Sequence, residues 1–246
     1  VGLAREIIRA IENDMFNGLY SGATALHALN RQQEATASNL AHLNTPGHRR
    51  MIFSFHERME ETEQSLARPG MKVVEQAADF TQGRHEPTGR PLDLALSGDA
   101  FFSYQGAAGT MYSRSGVVFR NPENNQLVNG DGFPLLNESG EPVTYDGPLS
   151  ELSIGSDGTI ARRDQQFGKI GVFQFDDNRQ LESENQIYFR AGSAEVSPAE
   201  SFTIHQGTRE LSNAHPVSEL ISLMVGSRHF EASQRAMLMM SDAMQE

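Results

Sequence analysis

Helical periodicity marks both ends of this chain, and a long stretch of short, turn-punctuated β runs lies between them. From about Ala4 to Ala41, apolar or small residues fall at Ile8, Ile11, Met15, Leu19, Ala23, Leu26, Leu29, Ala37 and Leu40, mostly three or four apart. No proline interrupts the pattern before Pro46, where Asn44-Thr45-Pro46-Gly47 ends it. Proline disfavours helix in the residue before it, and glycine turns readily. Gly18 and Gly22 each cost roughly 1 kcal/mol against alanine inside a helix, which a helix tolerates where a neighbour must approach closely. A second helix is predicted after Pro216, a residue suited to a first helical position. Val217, Leu220, Ile221, Met224, Phe230, Met237 and Leu238 give it an apolar face, with Arg228, Glu231 and Arg235 on other faces.

From about Pro91 to Arg190 the texture is β. Runs such as Leu92–Leu96, Phe101–Tyr104, Gly116–Arg120 and Ile170–Phe175 are separated by Asn129-Gly130, Asp131-Gly132, Ser139-Gly140, Asp157-Gly158 and Asp176-Asp177-Asn178. Asn-Gly and Asp-Gly supply the positive φ of tight hairpin turns. Met51 to Gly89 is polar; Met51–Leu66 reads as a further helix or an extended arm, and Arg68-Pro69-Gly70 as a turn. The expected fold is therefore α+β, with terminal helices pairing as a stalk, an extended connector and a central all-β, hairpin-rich domain. The expected boundaries are 1–50, 51–88, 89–200 and 201–246.

This layout bears on assembly. An amphipathic helix draws most of its stability from packing its apolar face. Two paired helices still leave much apolar surface uncovered, and copies of the chain could bury the remainder. Heterologous contacts that do not close would then yield a filament or tube. A closed helical hairpin beside a β domain accounts for the same pattern.

Several function classes fall away. The sequence has no cysteine, which removes disulfides, thiol nucleophiles and Cys-based metal sites. The net charge is -12. Val1 to Glu60 holds six basic and six acidic residues, whereas Thr88 to Glu200 holds eight basic against sixteen acidic ones. The acidic middle offers no clustered cations for phosphate neutralisation, so nucleic acid is not an expected partner. No run of about 18 apolar residues predicts a membrane span. Arg5, Glu6, Arg9, Glu12 and Asp14 interrupt the first residues, unlike a signal-peptide apolar region. Export, if it occurs, is expected by a route without a cleaved signal.

Asn17-Gly18-Leu19-Tyr20-Ser21-Gly22-Ala23, then Gln32-Gln33 and Ser38-Asn39-Leu40-Ala41-His42-Leu43-Asn44-Thr45-Pro46-Gly47, resemble the N-terminal signature of flagellar rod and hook proteins. His42 stands where that family usually has Asn, and His48 where it has an aromatic. Further blocks follow in the family's order. They are Thr88-Gly89-Arg90-Pro91-Leu92-Asp93 through Phe102, Tyr112-Ser113-Arg114-Ser115-Gly116, and Leu127-Val128-Asn129-Gly130-Asp131-Gly132-Phe133-Pro134-Leu135. Gln206-Gly207, Glu210-Leu211-Ser212-Asn213, Pro216-Val217 and Arg228-His229-Phe230-Glu231 complete the set. Length and the C-terminal blocks look closer to the proximal-rod type than to the hook protein. The family usually begins near Met15, so residues 1–14 look like an upstream extension or the product of an early start.

The resemblance implies a structural subunit of the periplasmic rod, exported by the flagellar type III apparatus. Its terminal helices would pack into a tube around a channel, with the β domain outside. The implied partners are other copies, neighbouring rod and hook proteins and the export apparatus. The implied assembly residues are Asn39, Leu40, Ala41, Asn44, Thr45, Pro46, Gly47, Val217, Leu220, Ile221, Met224 and Phe230. Asn44 also suits a turn before Thr-Pro-Gly, and Asn39 fits helix-end chemistry as well as an intersubunit bond.

No catalytic, cofactor or metal site is expected. Asp99, Asp131 and Asp157 read as turn acids, and their spacing matches no EF-hand loop. His27, His42, His48, His56, His85, His205, His215 and His229 show no zinc-binding spacing. Arg114 reads as a strand-surface or cross-strand residue. A monomeric binding module, with closed helices and a concave apolar patch on the β domain, is the alternative to a polymer subunit. An enzyme would need convergent titratable groups that no motif here predicts.

Overall fold

The computed structural model describes residues 2–58, 71–163 and 165–242, without the side chains of 2–21, 54–58 and 71–76. Ile8, Ile11, Met15 and Leu19 are thus outside the described side chains, and the expected Arg68-Pro69-Gly70 turn lies outside the described residues. The chain forms two compact units.

The first unit takes Val1–Leu40, Met51–Ala77 and His215–Glu246. Helix α1 spans Gly2–Ala41, 40 residues, or about 60 Å at the standard rise. Strands β1 (Met51–Arg58) and β2 (Met71–Ala78) pair as a two-stranded sheet. Met51–Arg58 is therefore extended, not helical, in keeping with the preference of closely spaced aromatics such as Phe53 and Phe55 for strands, while residues 59–66 of the expected helix or arm lie outside the described residues. Helix α2 spans Pro216–Asp242, and the Glu219 amide donates to the His215 carbonyl at 3.0 Å to open it.

Three contacts show how the helices meet. Asn39 Nδ2 lies 3.3 Å from a Glu219 carboxylate oxygen, Gln33 lies beside Gly226, and Gly22 lies against Met237. Moving back along α1 from 39 to 22 advances along α2 from 219 to 237, so the helices touch antiparallel. A Cβ on Gly22 would sit 2.9 Å from Met237 Cγ, which is the close approach that justifies glycine inside a helix.

The second unit takes Ala41–Arg50 and Ala78–Ala214. Its largest sheet has six strands, with β5 (Phe101–Gly106) and β6 (Gly109–Ser113) at its middle. They are flanked by Val172–Phe175 and Val196–Pro198 on one side and by Tyr188–Arg190 and Glu182–Ser183 on the other. Alternation divides β5 between two cores. Phe102 and Tyr104 enter the main cluster with Leu94, Leu96, Leu135 and Ile170. Phe101 enters a smaller cluster with Tyr112 and Phe175, where the rings meet edge-on, their centroids 5.3 and 4.9 Å from that of Phe175.

The chain returns through the strands Thr203–Gln206 and Thr208–Glu210. The first pairs with β4 (Asp93–Ser97), whose other edge pairs with Gly116–Val117; the second pairs with β3 (His85–Pro87). Gly207, at φ +72°, makes the corner between them. The return delivers Glu210–Ala214 alongside Ala41–Arg50, where the N-terminal signature ends.

Candidate assembly interface

The predicted assembly residues fall into three environments. Asn39 is buried, and its carboxamide bonds both backbone groups of Met51, donating to the carbonyl at 3.0 Å and accepting from the amide at 2.9 Å. It thus acts like one residue of a neighbouring strand at the start of β1. Leu40, Thr45 and Pro46 are partly covered, while Ala41 and Asn44 are exposed. The Thr45 amide closes the turn on the His42 carbonyl at 3.0 Å.

Gly47 is buried at φ +72°, and a Cβ there would lie 2.3 Å from the Ser115 amide nitrogen. Only glycine permits both that backbone conformation and that approach. Its amide donates to the Glu210 carbonyl at 2.9 Å.

Beyond Gly47 lies a junction built of polar side chains. Arg49 and Glu210 are both fully buried and ion-paired at 2.7 Å. The other Glu210 oxygen lies 3.3 Å from Arg114 Nε, and the Gly83 amide also donates to the carboxylate, at 2.8 Å. Arg114 Nη1 donates to the Gly98 and Ala100 carbonyls. Burial pushes the Arg114 guanidinium below the usual arginine range, offset in part by Glu210 and Asp99. Of the two readings offered for Arg114, strand surface or cross-strand partner, the first does not hold: its side chain is internal, where it caps carbonyls and faces Glu210 on another strand.

Asn213 binds the same segments together. It accepts from the Arg50 amide at 2.8 Å and donates to the Asp79 carbonyl at 2.7 Å. His48 lies between Ser212 Oγ (3.2 Å) and Gln186 Oε1 (2.9 Å). Burial lowers its pKa, Gln186 raises it, and His42 and Arg49 lower it, with a net downward shift. Sequence reasoning missed Arg49, Glu210 and Asn213 as a set. Their signal was present, since charged or amide residues recur within the resemblance blocks, but their partners are far away in the chain.

The third environment is α2. Glu219 and Gly226 are buried, and Leu223, Phe230, Ser233 and Met237 are partly covered, on the face toward α1. Val217 (69% exposed), Leu220 (48%), Ile221, Met224, Val225, Leu238 and Met239 lie on the other face. The helix thus carries apolar residues on both sides. The residues read as one face split, with Phe230 and Met237 turning inward and the others outward. Arg228, Glu231 and Arg235 lie on the outer side too, between the apolar groups near its start and near its end. Gln33, Leu223, Met224, Ser227, Arg228 and Glu231 line a groove of about 500 Å³ along that helix.

Of the expected turn acids, Asp157 holds a local bond, accepting from Thr159 at 2.7 Å, whereas Asp99 accepts from Asn178 at 2.9 Å and Asp131 from Tyr188 at 2.6 Å, both distant in sequence. Among the described residues, no three or more His, Asp or Glu side chains gather as a metal site, and no helix is long and apolar enough to cross a membrane.

Comparison with known proteins places these features together. Residues 19–49 match the family model of the flagella basal body rod protein. Residues 95–162 match the flagellar hook protein FlgE/F/G D1 domain, and residues 205–246 the flagellar basal body rod FlgEFG protein C-terminal. The chain is 32% identical over 233 residues to the flagellar basal-body rod protein FlgF of Caulobacter vibrioides, covering 91% of this chain and 93% of the relative. It is 32% identical over 229 residues to FlgF of Mesorhizobium japonicum (88% and 90%), and 25% identical over 259 residues to the rod protein FlgG of Bacillus subtilis (94% and 98%).

Proposed function

Since the chain belongs to the flagellar basal-body rod proteins of the FlgF type, and so is a structural protein and not an enzyme, we propose that it polymerises through its terminal helices. Its neighbours are other copies and other rod or hook proteins. It reaches the periplasmic part of the basal body through the flagellar export apparatus, without a cleaved signal.

The observation that carries the assembly reading is the second apolar face of α2. One face already meets α1; the other, with Val217, Leu220, Ile221 and Met224, is in solvent. Burying the half of each such side chain now exposed is worth about 1 kcal/mol. Four of them give about 4 kcal/mol, only the lower end of the ~4–15 kcal/mol that association costs in lost freedom. A pair of subunits joined only there would be weak, whereas a lattice in which each subunit touches several others adds such contacts together. The geometry therefore favours a polymer over a dimer.

Deleting the gene in its host and imaging basal bodies by cryo-electron tomography tests this reading. The expected result is loss of the rod beyond the inner ring and loss of swimming; an intact rod with normal swimming would refute it.

A further inference from the structure

Five of the ten methionines lie in the last 23 residues, at 224, 237, 239, 240 and 244, and the chain has no cysteine to serve as its oxidisable sulfur. Among those described, Met237 turns toward Gly22 on α1, Met240 is 37% exposed, and Met224 (60%) and Met239 (70%) are the most open. Met51 (5%) and Met111 (4%) are buried. Met224 and Met239 are fifteen positions apart, about 22 Å along the helix, and fall on the same outward side. One lies with Val217, Leu220 and Ile221, the other with Leu238, so each sulfur sits within one of the two apolar groups of that face.

We propose that Met224 and Met239 are peroxide-sensitive modification sites, and that their oxidation blocks burial of the outer face of α2. In each step a peroxide transfers one oxygen to the thioether sulfur. The sulfur is oxidised by two electrons to the sulfoxide, the O–O bond breaks, and the other oxygen leaves as water. The product is polar and chiral where the thioether was apolar and adaptable, so it disfavours a dry contact. A subunit already packed into a polymer hides both sulfurs. Oxidation therefore acts on the free subunit, and assembly protects against it. The effect on assembly rests on the reading under the previous heading; the site selectivity does not.

Purified full-length chain treated with dilute hydrogen peroxide, followed by peptide mapping, tests the selectivity. Met224 and Met239 should form sulfoxide on the order of tenfold faster than Met51 and Met111, because reactivity follows access. Comparable rates at Met51 or Met111 would overturn the site assignment. Sedimentation then compares polymer formation before and after peroxide for the wild type and for a variant carrying Met224→Leu and Met239→Leu, swaps that keep side-chain volume, with each loss measured against the same chain untreated.

Support is a roughly tenfold or greater loss of polymer for the oxidised wild type, recovery with methionine sulfoxide reductase, and no loss for the oxidised variant. Undiminished assembly of the oxidised wild type, or equal loss in the variant, would overturn the effect on assembly. Failure of untreated wild type to assemble would instead count against self-polymerisation and the effect that rests on it, while the peptide map still decides the sites.

Discussion

The junction around Glu210 and the outer face of α2 invert the usual arrangement of a folded chain in opposite ways. In the β unit, two arginines and a glutamate are withdrawn from water; on α2, valine, leucine, isoleucine and methionine are left in it. A buried charge persists where it has a fixed partner, and the junction is a finished structure in that its two ion pairs lie within one unit, even though Arg49 Nε, Arg114 Nε and Glu210 Oε2 form no hydrogen bond there. An apolar face without cover is an unfinished one. The contrast separates residues that shape the subunit from residues available to neighbours.

The severest way to break this contrast is Glu210→Ala. It leaves Arg49 and Arg114 buried without their carboxylate, and should cost about 3–5 kcal/mol, read as a lower urea midpoint for the β unit. A loss under about 1 kcal/mol would mean the arginines find water or other partners, and that the junction is not closed.

Gly47→Ala comes next. It forces a side chain into positive φ and against the Ser115 backbone, and should cost about 1–3 kcal/mol. An unchanged melting curve would show that the turn can move away from Ser115.

A smaller effect belongs to His48, whose folded-state pKa is depressed below the usual 6.5. Above that value the imidazole is neutral in both states, and stability is undiminished. As pH falls below 6.5 toward the folded-state pKa, the unfolded chain takes up a proton that the folded chain resists, so stability declines by at most about 1.4 kcal/mol per pH unit from this group. Urea melts at pH 7.5 and 5.5 should differ, and His48→Gln should narrow the difference. An identical difference in the variant would assign the slope to other groups.

Leu220→Asp should change subunit stability least, within about 0.5 kcal/mol, because the side chain already faces solvent. It should nevertheless abolish polymer formation and fail to restore swimming in a deletion strain. Normal rods from that variant would remove Leu220 from the interface, and a large loss of stability would mean the outer face is already covered within the subunit.

What could be read from the sequence was what is local. The 3.6-residue period and the Asn-Thr-Pro-Gly stop mark α1, Pro216 marks the start of α2, and Gly132, Gly140 and Gly158 adopt the positive φ expected of their turns, whereas Gly130 does not. The junction escaped because its pairs are remote: Arg49 and Glu210 stand 161 positions apart, and no local pattern announces which arginine will be buried. The two-sided character of α2 was missed for another reason. Periodicity finds an apolar face by its contrast with a polar one, and here apolar residues nearly encircle the helix, so only the position of α1 separates Phe230 and Met237 from Leu220 and Met224. The connector stayed open between helix and strand because Phe53 and Phe55 only favour a strand, while the pairing of β1 with β2 depends on a partner segment.

The long reach of the junction also sets an order in time. Glu210 and Asn213 serve residues from 49 to 83, so a chain delivered N-terminus first has made more than four-fifths of its length before those bonds become available. Contacts so distant in sequence close slowly, because the intervening chain must be ordered before they reward it. Residues 49 to 83 therefore wait for these partners until a late segment arrives to lock them.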